Sequence, residues 1–115
     1  MNDFPDFMKN KLNRIRQSSQ FTKDIEGYVF DGVDGSQMAF WTSFENRKST
    51  EHSHEFDEYI VCVHGRYKAT MNGEVFTLNP GDELLIPSGV SHGGECISGT
   101  RTIHAFGGKR AEREN

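Results

Sequence analysis

The sequence predicts an all-β fold, a sandwich or barrel of short strands. Short apolar or alternating runs recur at near-regular spacing from residue 21 onward. Turn signals separate them, among them Asp31-Gly32-Val33-Asp34-Gly35, Asn72-Gly73 and Asn79-Pro80-Gly81. Twelve glycines in 115 residues suit a fold of many tight turns.

The first segment is the exception. Phe4, Met8, Leu12 and Ile15 recur at helical spacing, with Phe7 alongside, so residues 3–16 read as a helix. Asp3 would cap it, with Pro5 and Asp6 in its first turn and Lys9, Lys11, Arg14 and Arg16 further along, which suits the helix dipole. Gln17-Ser18-Ser19-Gln20 breaks the pattern. Residues 1–20 therefore form a helical arm, packed either on the outside of its own domain or on a partner subunit. Strands are expected at 25–30, 37–44, 58–64, 66–71, 74–78, 84–86, 91–97 and 100–106. Asn72-Gly73 joins two of them as a two-residue hairpin, and Asn79-Pro80-Gly81 places Pro and Gly at the central positions of a type II turn. The barrel spans 21–108, and the polar tail 109–115 is expected to fray.

Composition narrows the function. One domain with a modest, largely aromatic core fits 34% hydrophobic residues and nine phenylalanines. A net charge of −4 gives nucleic-acid binding no electrostatic support. No run approaches the roughly 18 apolar residues needed to cross a bilayer. The N-terminus carries no apolar signal core, so a soluble cytoplasmic protein is expected. Two cysteines, Cys62 and Cys96, are too few for a disulfide framework and are expected as free thiols.

One local pattern carries chemistry. In His52-Ser53-His54-Glu55-Phe56-Asp57-Glu58, His52, His54 and Glu58 share a face if the segment is extended. Phe56 shares that parity. His92 follows the Pro87-Ser88-Gly89 turn and would be delivered to the same place. Three imidazoles and one carboxylate suit a divalent transition metal. A lone His-x-His arises by chance in a chain with five histidines; Glu58 and His92 make the set specific. Glu55 and Asp57 read as a solvated face.

These residues are where the chain resembles the cupin superfamily, in particular its small single-domain proteins. The family's first motif, His-x-His, three or four residues, Glu, six residues, Gly, is met by His52, His54, Glu58 and Gly65. The second, Gly, five residues, Pro-x-Gly, two residues, His, is met by Gly81, Pro87, Gly89 and His92. The likeness runs over residues 46–96. Asn46 stands where the first motif opens on Gly, a residue type that tolerates left-handed backbone, and Cys96 stands where the second closes on Asn. The resemblance implies a double-stranded β-helix, or jelly roll, with His52, His54, Glu58 and His92 as ligands of one divalent ion: Fe, Mn, Ni, Co, Cu or Zn.

Such a site leaves coordination positions open, which marks a catalytic centre. The reading is a metal-dependent enzyme on a small polar organic substrate, of the dioxygenase, isomerase or lyase type that the resemblance implies. The rival is a non-catalytic small-molecule-binding or sensory module, or a carrier. With the barrel and arm accounting for all 115 residues, the enzyme is preferred. Tyr28, Gln37, Trp41, Cys62 and Arg101 are candidates for the pocket lining, Arg101 toward a carboxylate. Cys62 and Cys96 read equally as small buried hydrophobes. His104 is a candidate to hold a ligand residue in place or to act as a general base, against a structural role, and His64 sits at a strand end without one. The partners expected are a small-molecule ligand and a second copy in a homodimer, with neither nucleic acid nor membrane.

Overall fold

The computed structural model describes residues 1–114. Nine strands form two sheets: β1 Glu26–Asp31, β2 Gln37–Thr42, β3 Arg47–Lys48, β4 Glu58–His64, β5 Tyr67–Met71, β6 Glu74–Leu78, β7 Glu83–Ile86, β8 His92–Cys96 and β9 Arg101–Phe106. One sheet runs β1-β2-β9-β4-β7 and the other β3-β8-β5-β6. Every pairing is antiparallel. The sheets pack face to face, because one apolar cluster joins Ile60, Cys62 and Ile86 of the first to Leu78, Tyr67 and Met71 of the second. Among the described residues no helix is long and apolar enough to cross a membrane.

Eight of these strands fall where the apolar runs lie. The two-residue β3 has no apolar pattern to reveal it. Asn72 and Gly73 both take left-handed backbone, φ 51° and 82°, as a type I′ hairpin requires. Asp82 donates its backbone N–H to Asn79 O across Pro80-Gly81, with Gly81 at φ 93°, the type II geometry. Asn46 is not left-handed; its side chain instead accepts a hydrogen bond from Ser98 N at 2.8 Å.

Strand alternation divides the five-stranded sheet. Val29, Ala39, Trp41 and Phe106 face inward and pack with Ile15 and Ala111. Tyr28 and Phe40 face outward, covered by Phe4. Phe30 and Met38 stand opposite each other near the sheet edge and remain exposed.

The expected helix over residues 3–16 is not formed. Three short 3₁₀ turns, Asp6–Met8, Lys11–Asn13 and Gln17–Ser19, are joined by extended backbone. Two anchors explain this. The Phe4 ring sits 4.7 Å from Phe40 on the outer face, while Ile15 enters the inner cluster with its N–H on Gly27 O at 2.9 Å. A helix would carry both residues on one apolar stripe, which cannot meet opposite faces of the same sheet, so tertiary contacts override the periodicity. The arm thus packs on its own barrel, leaving Phe7 and Leu12 exposed.

The tail does not fray over residues 110–114, while Asn115 lies outside the described residues. Gln37 clamps it. Its Oε1 accepts from the backbone N–H of Arg110 at 2.7 Å and Ala111 at 2.9 Å, and its Nε2 donates to Ala111 O at 3.1 Å. Arg113 donates to Val29 O, Asp31 and Asn13, and Glu114 N donates to Arg14 O. The clamp yields a prediction. Gln37→Ala leaves buried backbone groups at Ala111 without partners, at a cost of about 2 kcal/mol. A melting experiment should show Tm lowered by roughly 5–10 °C; an unchanged Tm means the tail is not held by Gln37.

Candidate metal centre

The site is assembled by backbone pairing. His52 N–H donates to His92 O at 2.9 Å and His92 N–H to His52 O at 2.8 Å, an isolated antiparallel bridge that sets the two imidazoles side by side. His54 O accepts from Gly89 N, and the Asp57 carboxylate accepts from Ser88 N. Glu58 then opens β4 opposite Ile86. The 52–57 segment therefore runs along the 86–92 turn as an irregular loop, not the extended strand that parity assumed. Gly89 at φ 80°, with Val90 N donating to Pro87 O, makes the type II turn that this track needs.

The ligand atoms of His52, His54 and His92 all lie within 4.8 Å of one another, so these three residues could hold a metal ion. Glu58 Oε1 lies 3.3 Å from His54 Nε2 and 3.2 Å from His92 Nε2. Donors held about 2.1 Å from one ion stand ~3 Å apart in adjacent positions. The tautomers agree. His52 Nδ1 lies 2.9 Å from Thr50 O, and His92 Nδ1 lies 3.0 Å from Val90 O. A carbonyl only accepts, so each Nδ1 carries the proton and each Nε2 turns a lone pair inward. Three atoms here, His54 Nε2, Glu58 Oε1 and His92 Nε2, are buried without a hydrogen-bond partner. Buried polar atoms are rarely orphaned, and a cation satisfies all three together.

The second carboxylate oxygen is committed elsewhere. His104 Nδ1 donates to Glu58 Oε2 at 2.8 Å, and His104 Nε2 lies 2.9 Å from Thr102 Oγ1. Burial pushes the Glu58 carboxyl up, but the contacts with His104, His54 and His92 outweigh it and hold the group well below the usual range. Burial pushes His52 down to about 4, against the Thr50 hydrogen bond, so it is neutral at neutral pH. Burial also lowers His92, yet the Glu58 contact and the Val90 hydrogen bond prevail and raise it.

A cavity of about 60 Å³ opens onto these residues, room for a few waters or one small ligand. Trp41, Phe21, Phe106, Tyr67, Thr102, His104 and Arg110 wall it. Burial raises the pKa of the Tyr67 phenol further above neutral, so it stays protonated. Gly94 leaves room for that phenol, which a Cβ at residue 94 would strike.

Of the residues proposed from sequence, His52, Glu58, His92, His104 and Trp41 line this cavity, and His54 joins the cluster. The others lie elsewhere. Tyr28 is on the outer face, donating to Glu26 at 2.7 Å. Gln37 clamps the tail. Arg101 is also outward, its guanidinium 5.3 Å from the Phe4 ring and donating to Met1 O. Cys62 faces inward as parity requires, but belongs to the apolar cluster with Ile60, Leu78 and Ile86. Cys96 is buried beside Arg47 O, and both thiols are free. His64 lies exposed at the end of β4, bonded to Gly99 O. Sequence reasoning missed Phe21, Tyr67, Phe106 and Arg110. Tyr67 and Phe106 have the alternation of strand residues that could have exposed them; Phe21 and Arg110 come from irregular segments that give no periodic signal.

The architecture and site can now be set beside known proteins. Comparison with curated protein sequences finds no match. Among solved structures, an RmlC-like cupin from Shewanella frigidimarina is similar with TM-score 0.69 and 20% identity, over 75% of this chain and 78% of that one. KdgF from Halomonas sp. is similar with TM-score 0.68 and 20% identity, over 84% of this chain and 94% of that one. A cupin superfamily protein from Desulfitobacterium hafniense aligns with TM-score 0.67 and 14% identity, over 72% and 76% of the two chains. These likenesses speak for the fold. The sequence profile described as the cupin domain matches residues 41–110, more than half of the chain, and the protein belongs to the cupin family.

Proposed function

We propose that the protein is a metal-dependent enzyme acting on a small polar organic molecule, with one divalent transition ion held by His52, His54, Glu58 and His92. One observation carries the reading: His54 Nε2 and His92 Nε2 lie 3.3 and 3.2 Å from Glu58 Oε1, and all three atoms are buried and without a hydrogen bond. A structural site would close its ion off; this one faces a cavity. Imidazole and carboxylate donors suit Fe, Mn, Ni, Co, Cu or Zn. Such an ion, with positions left to a ligand, supplies Lewis acidity or, if redox-active, dioxygen chemistry of the kind dioxygenase, isomerase and lyase reactions use.

The chain's own residues support that ion. The Thr50 and Val90 carbonyls hold His52 and His92 in the ligating tautomer. His104 occupies Glu58 Oε2, which leaves Oε1 for the ion. His104 is therefore a positioning residue. The aromatic wall of Phe21, Trp41 and Phe106 keeps water sparse around the reacting centre. The same reading takes the protein as a homodimer joined through the outer face of the five-stranded sheet, where Phe30, Met38 and Leu85 are exposed.

Elemental analysis should find close to one transition ion per chain. His54→Ala should lose most of it while His64→Ala, at an exposed strand end, keeps it; equal occupancy in the two variants sinks the site. In a metal-affinity titration, His104→Ala should weaken binding by about 10–100-fold. His104→Asn, which retains a donor toward Glu58, should recover much of that. Unchanged affinity in His104→Ala would remove its positioning role. Sedimentation at micromolar concentration should give twice the chain mass, and Met38→Lys should shift it toward monomer; a monomeric wild type refutes the dimer.

A further inference from the structure

We propose that Arg110 is the anion receiver of this cavity, and that the molecule taken there is a small carboxylate bearing a hydroxyl or carbonyl oxygen. The inference rests on the metal site above and names the ligand class for it.

Arg110 stands in the cavity wall with His52, Glu58 and His92. Its guanidinium is seated among three rings, with Cζ 4.9 Å from the centre of Phe21, 5.2 Å from Trp41 and 5.8 Å from Phe106. Its backbone N–H is fixed by Gln37 Oε1, and Nη1 donates to Ser19 O at 2.5 Å. Three separated segments of the chain thus converge to place one cation. That is more construction than a solvated arginine needs.

The cation has no acid of its own. Arg14, Arg47 and Arg113 each pair with a carboxylate. Among the described residues none lies within ion-pair reach of Arg110. The carboxylate that lines its cavity, Glu58, bonds His104 through one oxygen, turns the other toward His54 and His92, and lies beyond ion-pair reach of Arg110. A guanidinium stays charged at any ordinary pH, and an unpaired charge in an apolar setting is costly. Ser19 O takes one of its five N–H groups, so most of the fork remains for a partner. A carboxylate matches that fork in plane and spacing, and aromatic walls strengthen the bond by excluding water. The cavity's size holds the ligand to a few heavy atoms. The Tyr67 hydroxyl in the same wall would donate to a remaining oxygen, and Thr102 Oγ1, its proton turned to His104, could accept from a ligand hydroxyl.

Glycolate and its uncharged analogue glycolamide test this. Calorimetric titration of zinc-loaded wild type and zinc-loaded Arg110→Gln gives the preference for acid over amide in each. A charge-assisted fork should make that preference about tenfold or more greater in wild type. Equal preference in the two proteins, or no glycolate binding by wild type, overturns the proposal. Zinc content measured on the same samples separates the two readings: full zinc with no effect of Arg110 leaves the metal site standing, and absent zinc removes the metal reading instead. Should Arg110→Gln not fold, the side-chain Nε–H resonance of Arg110 in wild type decides. It should move on addition of glycolate and not of glycolamide, and a resonance indifferent to glycolate overturns the proposal.

Discussion

The buried carboxylate of Glu58 is the constraint on which the rest of the site depends. Removing a carboxylate from water costs several kcal/mol unless its oxygens are met by donors or cations. Here the chain surrounds it with three imidazoles, from the loop before β4, from β8 and from β9. His104 fully satisfies one oxygen. The other faces two Nε2 atoms without a hydrogen bond to either. With the His92 proton committed to Val90 O, the contact between Glu58 Oε1 and His92 Nε2 sets acceptor against acceptor. A proton or a metal ion reconciles them, and the raised pKa of His92 is the proton's version of the same demand. A centre so arranged is short of positive charge, which is what an ion-binding site must be before its ion arrives.

Aromatic packing fixes the imidazoles. Phe21 stacks on His52 at 3.7 Å and Phe56 on His54 at 5.1 Å, both within 7° of parallel. Trp41 meets His104 edge-on at 4.7 Å, and Phe106 lies against both His104 and His54. Rings packed this way are positioned in advance, so an ion binding there would cost little ordering entropy. The many phenylalanines of the chain thus serve the site as well as the core.

The sequence made strands legible because alternation in a half-buried sheet is a local signal. It made His52, His54, Glu58 and His92 legible because motif spacing survives whatever backbone joins them. The parity argument reached those residues by a premise the structure does not share: the 52–57 segment is a loop, and pairing with the 86–92 turn brings the side chains together. Parity shows which residues share a face, but not which face is inside; Tyr28 and Arg101 lie on the outer side. Nor does it give height in the barrel: Cys62 faces inward, among Ile60, Leu78 and Ile86 rather than at the metal site. The N-terminal periodicity was real, but Phe4 and Ile15 are anchored on opposite sides of one sheet, and a helix cannot serve both.

The division of labour within the chain follows from these contacts. Strand and turn residues of the barrel hold Glu58 and its histidines, and their positions are dictated by pairing register. Ser19, Phe21 and Arg110 come from the two ends, where register imposes nothing. Gln37 holds Arg110, Thr50 N donates to Phe21 O, and Ser19 bonds Arg110 and Glu112. A change at Arg110 replaces the cation, whereas a change at Phe21 also uncovers the face of His52, and changes in β4, β8 or β9 disturb the histidine cluster and the barrel together. On the proposed reading function resides in a site placed on the fold rather than in the fold, and Arg110, the residue that would select the ligand, lies outside the strands of the barrel.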